Sequence, residues 1–159
     1  MSRLFGVMSL HEFYTDRGYE LKEDSLSPSM EDYLEMIYRL SQNNGYTRVN
    51  EVAENLNVKP SSVTKMIKRL YNKNLLYYER YGMIHLTDEG KKLGEYLLCR
   101  HHVLEEFFHM LGANEELKKQ VERIEHHISW ANFEVIYNFV NYLQEHPQVL
   151  EDFKRYSNR

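Results

Sequence analysis

Apolar side chains recur every three to four residues along most of this chain, a spacing that predicts amphipathic helices. The first clear helix runs from about Met30 to Gln42, with Ser29 as its expected N-cap. A second, shorter helix covers Asn50 to Leu56. A third opens at Pro60, a residue favoured in a first helical turn because its missing N–H would be unpaired there. We therefore expect two short helices joined by a tight turn.

The pattern changes between Leu76 and Leu86, where aromatic and β-branched residues surround Gly82. This composition is typical of a short β-hairpin. Two short helices, a tight turn and a following hairpin make up a winged helix-turn-helix.

Helical spacing returns in the C-terminal half of the chain. A long helix is predicted from about Asp88 to Leu111, with Thr87 as its N-cap and Gly112 just beyond its end. Two more helices are expected at residues 115–127 and 130–145, the latter ended by a proline. The fold class is therefore mainly α, an N-terminal winged helix-turn-helix followed by a helical domain.

The helices after Gly90 carry more apolar surface than one thin bundle can cover, so we expect a dimerisation domain and a two-fold homodimer. The residues on which this rests are Leu93, Leu97, Leu104, Phe107, Phe108, Leu111, Phe133, Ile136, Tyr137 and Val140. The predicted organisation is an N-terminal extension at residues 1–27, a winged helix-turn-helix at 28–87 and the helical domain at 88–159.

The composition is that of a folded protein, because 42% hydrophobic residues in 159 supply enough surface for a core. The single cysteine, Cys99, excludes an internal disulfide and fits a reducing compartment. No stretch approaches the roughly 20 apolar residues of a membrane span. The first ten residues lack a small-residue cleavage site. We expect a cytoplasmic protein with no membrane partner.

The net charge of -4 is unevenly distributed along the chain. Residues 59–92 carry eight Lys/Arg against three Asp/Glu, a net charge of +5, between two acidic flanks. Taken alone, this segment could be an ordinary solvated face. The third helix, however, projects hydroxyls and cations with no acid among them, and such a row suits phosphates and base edges. The expected contacts to double-stranded operator DNA are Ser61, Ser62, Thr64, Lys65, Lys68 and Arg69, with Arg80 in the wing.

The fifth predicted helix carries a row of possible metal ligands. Glu122, Glu125 and His126 are spaced i, i+3 and i+4, which places them on one helix face. The apolar stripe of this helix lies on another side and comprises Leu117, Val121, Ile124 and Ile128. Core packing therefore does not explain the ligand row. The alternative is that the two acids are solvated and pair with Lys118 or Lys119.

Asp32 and Glu35 form a second acidic face, on the first helix and roughly opposite its apolar stripe. Four carboxylates brought together would repel one another strongly, and two divalent cations would neutralise them. Oxygen-rich coordination without sulfur favours Mn²⁺ or Fe²⁺ over Zn²⁺ or Cu⁺.

These features together resemble the manganese-responsive regulators of the diphtheria-toxin-repressor family, over residues 28 to about 145. The resemblance rests on Pro28-Ser29-Met30-Glu31-Asp32-Tyr33-Leu34-Glu35, Pro60-Ser61-Ser62-Val63-Thr64-Lys65-Met66, Arg100-His101 and Glu122-x-x-Glu125-His126-His127-x-Ser129-Trp130.

The resemblance implies a metal-dependent repressor that silences manganese-uptake genes when the ion is abundant. It also implies two Mn²⁺ per chain, with ligands Asp32, Glu35, His101, Glu122, Glu125 and His126. An iron-responsive repressor using Fe²⁺ is the alternative. Iron-responsive relatives carry sulfur residues at the positions of Asp32 and Glu122, which favours manganese. The resemblance gives no role to residues 1–27.

Two other classes of protein remain open from the residues. One is a winged-helix regulator of a different ligand, with the acidic rows as surface charge. The other is a di-metal carboxylate enzyme in a helical bundle. We expect no enzyme, because the chain has no glycine-rich phosphate loop, nucleophile elbow or H-E-x-x-H motif. Cys99 faces away from His101 on a helix, so we read Cys99, His102 and His109 as packing or surface residues.

Overall fold

The computed structural model describes residues 26–113 and 116–157. Nearly all of the predicted N-terminal extension lies outside these residues. The chain divides into two compact units, the first running through Leu97 and the second starting at Leu98. Among the described residues, no helix is long and apolar enough to cross a membrane.

The first unit contains the winged helix-turn-helix. Its elements are α1 (Pro28–Ser41), β1 (Thr47–Arg48), α2 (Val49–Asn55), α3 (Pro60–Asn72), β2 (Leu76–Tyr78), a 3₁₀ turn (Arg80–Gly82), β3 (Met83–Leu86) and the first turns of α4 (Asp88–Met110). The second unit is helical and contains the rest of α4, α5 (Glu116–Ile124), a 3₁₀ turn (Glu125–His127), α6 (Trp130–Glu145) and α7 (Pro147–Ser157). The predicted fold class is confirmed.

The start of α1 differs from the prediction by two residues. Ser27 has extended backbone angles, φ −70° and ψ 155°, and occupies the N-cap position, while Pro28 takes the first helical position. The expected cap at Ser29 is therefore wrong. The physical reason is that the fixed φ of proline suits the first turn of a helix.

The turn between α2 and α3 depends on one left-handed residue. Asn57 has φ 52°, and its N–H donates to the Glu54 carbonyl at 3.1 Å. The next N–H, of Val58, donates to the Ala53 carbonyl at 2.9 Å. This pair of bonds closes α2 and turns the chain into α3. The predicted helix-turn-helix is confirmed, with α3 opening at Pro60.

The hairpin belongs to a three-stranded antiparallel sheet in the order β1-β3-β2. Leu76 pairs with Leu86 across the predicted hairpin, and Thr47 of β1 pairs with Ile84. Strand β1 was not predicted. The Glu51 carboxylate holds it to α2 by accepting hydrogen bonds from the Thr47 hydroxyl at 2.7 Å and from the N–H of the next residue at 3.0 Å.

Two glycines let the first turns of α4 lie directly against the rest of the first unit. A Cβ at Gly90 would overlap the carbonyl oxygen of Leu75, and a Cβ at Gly94 would lie 2.5 Å from that of Tyr38. Only glycine, which has no Cβ, permits this close approach.

Burial raises the pKa of the Tyr38 hydroxyl, and the Glu95 carboxylate raises it further.

Both ends of α4 carry hydrogen-bonded caps that the sequence indicated. The Thr87 hydroxyl accepts a bond from the Gly90 N–H at 3.0 Å, as an N-cap does. At the other end Gly112 has φ 89°, and its N–H donates to the His109 carbonyl at 3.0 Å. The Ala113 N–H donates to the Phe108 carbonyl at 3.1 Å and completes the C-terminal cap.

The second unit departs from the prediction at two helix ends. Helix α5 ends at Ile124, three residues earlier than expected, and continues as a 3₁₀ turn. Pro147 begins α7, which the sequence pattern did not predict. A proline that cannot continue α6 is well suited to the first turn of the next helix.

The surfaces available for dimerisation agree with the prediction only in part. Five of the apolar residues expected to need a partner are already buried in the single chain, namely Leu93, Leu97, Leu104, Phe133 and Val140. The apolar residues left exposed on α6 and α7 are Val135, Phe139, Tyr142, Val149, Phe153 and Tyr156. The other five predicted residues, Phe107, Phe108, Leu111, Ile136 and Tyr137, are half-buried, so they and the exposed residues of α6 and α7 form the apolar surface of the second unit.

Candidate metal centre and DNA-reading surface

A buried carboxylate between two imidazoles lies at the centre of the candidate metal site. Glu125 is only 3% exposed. Its Oε2 lies 2.9 Å from Nδ1 of His101, which α4 contributes, and its Oε1 lies 3.9 Å from Nε2 of His126. His101 and Glu125 are 24 residues apart in the sequence, whereas Glu125 and His126 are neighbours. All three side chains thus meet within the second unit.

Glu125 is the first residue of the 3₁₀ turn that follows α5, one turn beyond the buried Val121. The turn begins where α5 stops, and the Ile128 N–H donates to the Glu125 carbonyl at 3.3 Å. Ser129 then caps α6 by accepting a bond from the Asn132 N–H at 3.4 Å. Ile124, expected on the buried stripe, is 39% exposed instead. The predicted separation of an apolar face and a ligand face was therefore wrong at this end of α5, since it assumed one continuous helix.

The chemistry of this cluster fits a divalent cation. Carboxylate oxygens and imidazole nitrogens are common ligands of Mn²⁺, Fe²⁺ and Zn²⁺. Burial of a carboxylate is costly unless an opposite charge or hydrogen bonds offset it, and the His101 ring supplies one such bond. For both Nδ1 and Oε2 to bind a metal, the proton shared between them must leave.

The other three predicted ligands lie on α1 and α5. Asp32 is exposed on α1, and Glu35, one turn further on, forms an ion pair with Arg39 at 2.7 Å. Both belong to the first unit. Glu122 is exposed on α5. The second unit thus brings together His101, Glu125 and His126, and no pattern in the sequence pairs the first two, because they are far apart along the chain.

The proposed DNA-reading row lies on the exposed side of α3. Val63, Met66, Ile67 and Leu70 are buried, as predicted, and fix the orientation of the helix. The six residues of the row are all exposed: Ser61, Ser62, Thr64, Lys65, Lys68 and Arg69. The Thr64 hydroxyl donates to the Pro60 carbonyl at 3.0 Å. The backbone of Arg80 lies in the wing turn, and its side chain is outside the described part of the structure.

The wing holds one residue that the sequence reasoning missed. Tyr81, at the tip between β2 and β3, is 91% exposed and has a left-handed backbone. A Tyr-Gly pair at the centre of a predicted hairpin was the available signal, because such turns favour two residues with positive φ.

A winged helix-turn-helix with an exposed cationic α3, followed by a helical unit with buried carboxylate and imidazole donors, defines the class of metal-dependent DNA-binding transcriptional repressors. Residues 25–84 match the family model "Iron dependent repressor, N-terminal DNA binding domain". Residues 87–154 match "Iron dependent repressor, metal binding and dimerisation domain". The chain belongs to the iron-dependent repressor family, and the predicted resemblance is confirmed.

Individual relatives agree with this assignment. The HTH-type transcriptional regulator MntR of Oceanobacillus iheyensis is 47% identical over 130 residues, which cover 81% of this chain and 88% of the relative. That of Bacillus subtilis (strain 168) is 46% identical over 129 residues, which cover 80% and 91% of the two chains.

A similar solved structure is the apo form of the manganese-activated repressor ScaR. It is 33% identical with a TM-score of 0.58, and the match covers 70% of this chain and 54% of that one. The manganese regulator SloR is 28% identical with a TM-score of 0.63, covering 74% and 55%. The present chain thus spans only about half the length of these two proteins.

Proposed function

We propose that this chain is a cytoplasmic Mn²⁺-dependent repressor that binds operator DNA as a homodimer and controls genes for manganese uptake. The observation that carries the proposal is the buried Glu125 between His101 and His126. Relatives described as a manganese regulator and a manganese-activated repressor support the choice of metal.

Two Mn²⁺ ions per chain are proposed, held by Asp32, Glu35, His101, Glu122, Glu125 and His126. Four carboxylates and two imidazoles form a hard donor set that suits Mn²⁺ and Fe²⁺. The bound cations would offset four negative charges that otherwise repel. Asp32 and Glu35 belong to the first unit and the other four residues to the second.

Different parts of the chain would bind DNA and form the dimer. The α3 row meets DNA, with Lys65, Lys68 and Arg69 on phosphates or guanine edges and the hydroxyls of Ser61, Ser62 and Thr64 beside them. Arg80 adds a wing contact. The exposed apolar residues of α6 and α7 pair two copies about a two-fold axis. Two α3 helices fixed about 34 Å apart would fit successive major grooves. No catalytic role is proposed.

Selection of operator DNA from a random duplex pool, with Mn²⁺ present, provides the probe for the main test. Gel shifts with this duplex should show binding in Mn²⁺ that chelation by EDTA removes, and calorimetry should give two ions per chain. Binding that ignores EDTA would indicate a regulator of another ligand class. Tighter activation by Fe²⁺ under anaerobic conditions would favour the iron-responsive alternative. Hydrolytic or redox turnover by the metal-loaded protein would favour a di-metal enzyme.

A pair of variants on α1 tests the assignment of Glu35 as a metal ligand. Glu35→Gln should keep the fold and lose Mn²⁺-dependent DNA binding, because it removes a proposed ligand charge. Glu31→Gln, on the same helix but outside the proposed ligand set, is the matched control and should bind like wild type. Equal metal response in both variants would contradict the assignment of Glu35 as a ligand.

A further inference from the structure

The wing tip has an unusual backbone for the residue that occupies it. Tyr81 has φ 71° and ψ 17°, and Gly82 follows with φ 81°. Two consecutive left-handed residues between antiparallel strands favour Asn-Gly or Asp-Gly, because a larger side chain crowds the backbone in this conformation. Tyrosine is therefore a poor choice for the turn itself.

Packing within the protein does not compensate for this choice. Tyr81 is 91% exposed, so its ring is almost wholly in solvent. The turn is closed by the Glu79 N–H, which donates to the Met83 carbonyl at 3.0 Å. The hydroxyl of the neighbouring Tyr78 lies 3.7 Å from the position that a Cβ at Gly82 would occupy. A residue that conflicts with its local backbone without a gain in folding points to a functional role.

The surroundings of the wing indicate which partner the ring would meet. Strand β2 begins four residues after α3 ends, so the hairpin follows directly from the helix that presents the cationic row. The sequence along this path contains Lys73 and Arg80 and one acid, Glu79, within the segment of net charge +5. An exposed ring with a hydroxyl donor in a segment of net positive charge suits the sugar-phosphate backbone of DNA, where a ring packs on deoxyribose and the hydroxyl donates to a phosphate.

We propose that Tyr81 is a contact to the DNA backbone, beside the groove that α3 reads. The inference rests on the proposed operator binding and adds a residue that positions the protein on the duplex. Because deoxyribose and phosphate are the same in every sequence, the contact should strengthen binding to all duplexes by a similar factor.

Fluorescence anisotropy with the selected operator and with a scrambled duplex, both in Mn²⁺ at fixed salt, tests the proposal. Tyr81→Asn should weaken binding to both duplexes by about tenfold, the scale of a lost hydrogen bond to a charged group. It should melt at the same or a higher temperature, since asparagine tolerates the left-handed backbone. Tyr81→Phe, which keeps the ring, should fall between wild type and Tyr81→Asn. Asn44→Ala, at an exposed residue of the turn after α1, is the control and should change neither affinity.

Three results would overturn the inference. One is wild-type affinity of Tyr81→Asn for both duplexes, and another is a loss confined to the operator, which would indicate base reading. The third is a lower melting temperature, which would show that tyrosine stabilises the turn; Tyr81→Gly repeats this comparison without a side chain. If wild type bound neither duplex in Mn²⁺, the proposed function itself would fail, and this outcome is distinct from the other three.

Discussion

Replacement of Glu125 by glutamine is the sharpest test of the buried carboxylate. The variant keeps the shape of the side chain and removes its charge. The carboxylate accepts a hydrogen bond from His101 across 2.9 Å, in a position only 3% exposed. A charge-assisted bond contributes about 1.5–3 kcal/mol, and the glutamine carbonyl can still accept a weaker one. We expect the metal-free variant to lose about 1 kcal/mol, which is a shift in Tm of roughly 2–4 °C.

The substitution Glu125→Gln should have a larger effect on stability when Mn²⁺ is present. At a Mn²⁺ concentration about 100 times its Kd, binding to the folded state alone stabilises wild type by about 2.7 kcal/mol, or roughly 5–10 °C in Tm. Loss of one charged ligand should weaken Mn²⁺ binding by about 100-fold or more. Mutation of residues that only hydrogen-bond to the ligands already lowers metal affinity by about 10- to 100-fold. The same concentration would then only equal the Kd of the variant. The stabilisation would fall to about 0.4 kcal/mol, close to 1 °C.

Thermal denaturation followed by circular dichroism, with EDTA and then with Mn²⁺, measures both quantities on the same protein. Glu145→Gln, at an exposed acid near the end of α6, controls for the loss of one negative charge and should keep the full metal-dependent shift. A Glu125→Gln variant that Mn²⁺ stabilises as much as wild type would refute the assignment of Glu125 as a ligand.

Three further predictions concern the fold, the DNA surface and the dimer. Gly90→Ala should lower the free energy of unfolding by about 2–3 kcal/mol in urea titrations, because the new Cβ would overlap the Leu75 carbonyl; unchanged stability would contradict this close approach. Lys68→Ala should weaken binding to every duplex and reduce the salt slope by about one, whereas Lys154→Ala on α7 should leave the slope unchanged. Phe139→Glu should shift sedimentation toward monomer, and a persistent dimer would exclude this part of α6 from the interface.

Features fixed by nearby residues were predictable from the sequence. The buried side of α3 followed from spacing alone, with Val63 and Leu70 as its ends. The caps at Thr87 and Gly112 followed from residue chemistry. Strand β1 was missed because two residues cannot show an alternating pattern, and Thr47 becomes a strand residue only by pairing with Ile84. Residues distant in sequence supply that information.

The candidate metal site also depends on residues distant in sequence, so only part of it was predictable. Helical spacing identified Glu122, Glu125 and His126 as a possible ligand row, but it assumed that α5 runs through all three. The helix instead changes to a 3₁₀ turn at Glu125, which is buried, while Ile124 is partly exposed. The pairing with His101 depends on how α4 packs in the second unit. Neither effect has a signature in local periodicity.

Helix α4 offers a physical route by which metal binding could influence DNA binding. Its first turns are held to the first unit by the close contacts at Gly90 and Gly94. His101 lies seven residues beyond Gly94, so it falls on the same side of the helix, about 10 Å further along the axis. A metal ion held by His101 and Glu125 would therefore act on a helix that is already fixed at its other end to the unit carrying α3. Because such coupling is reciprocal, operator DNA should raise metal affinity by the factor with which metal raises DNA affinity.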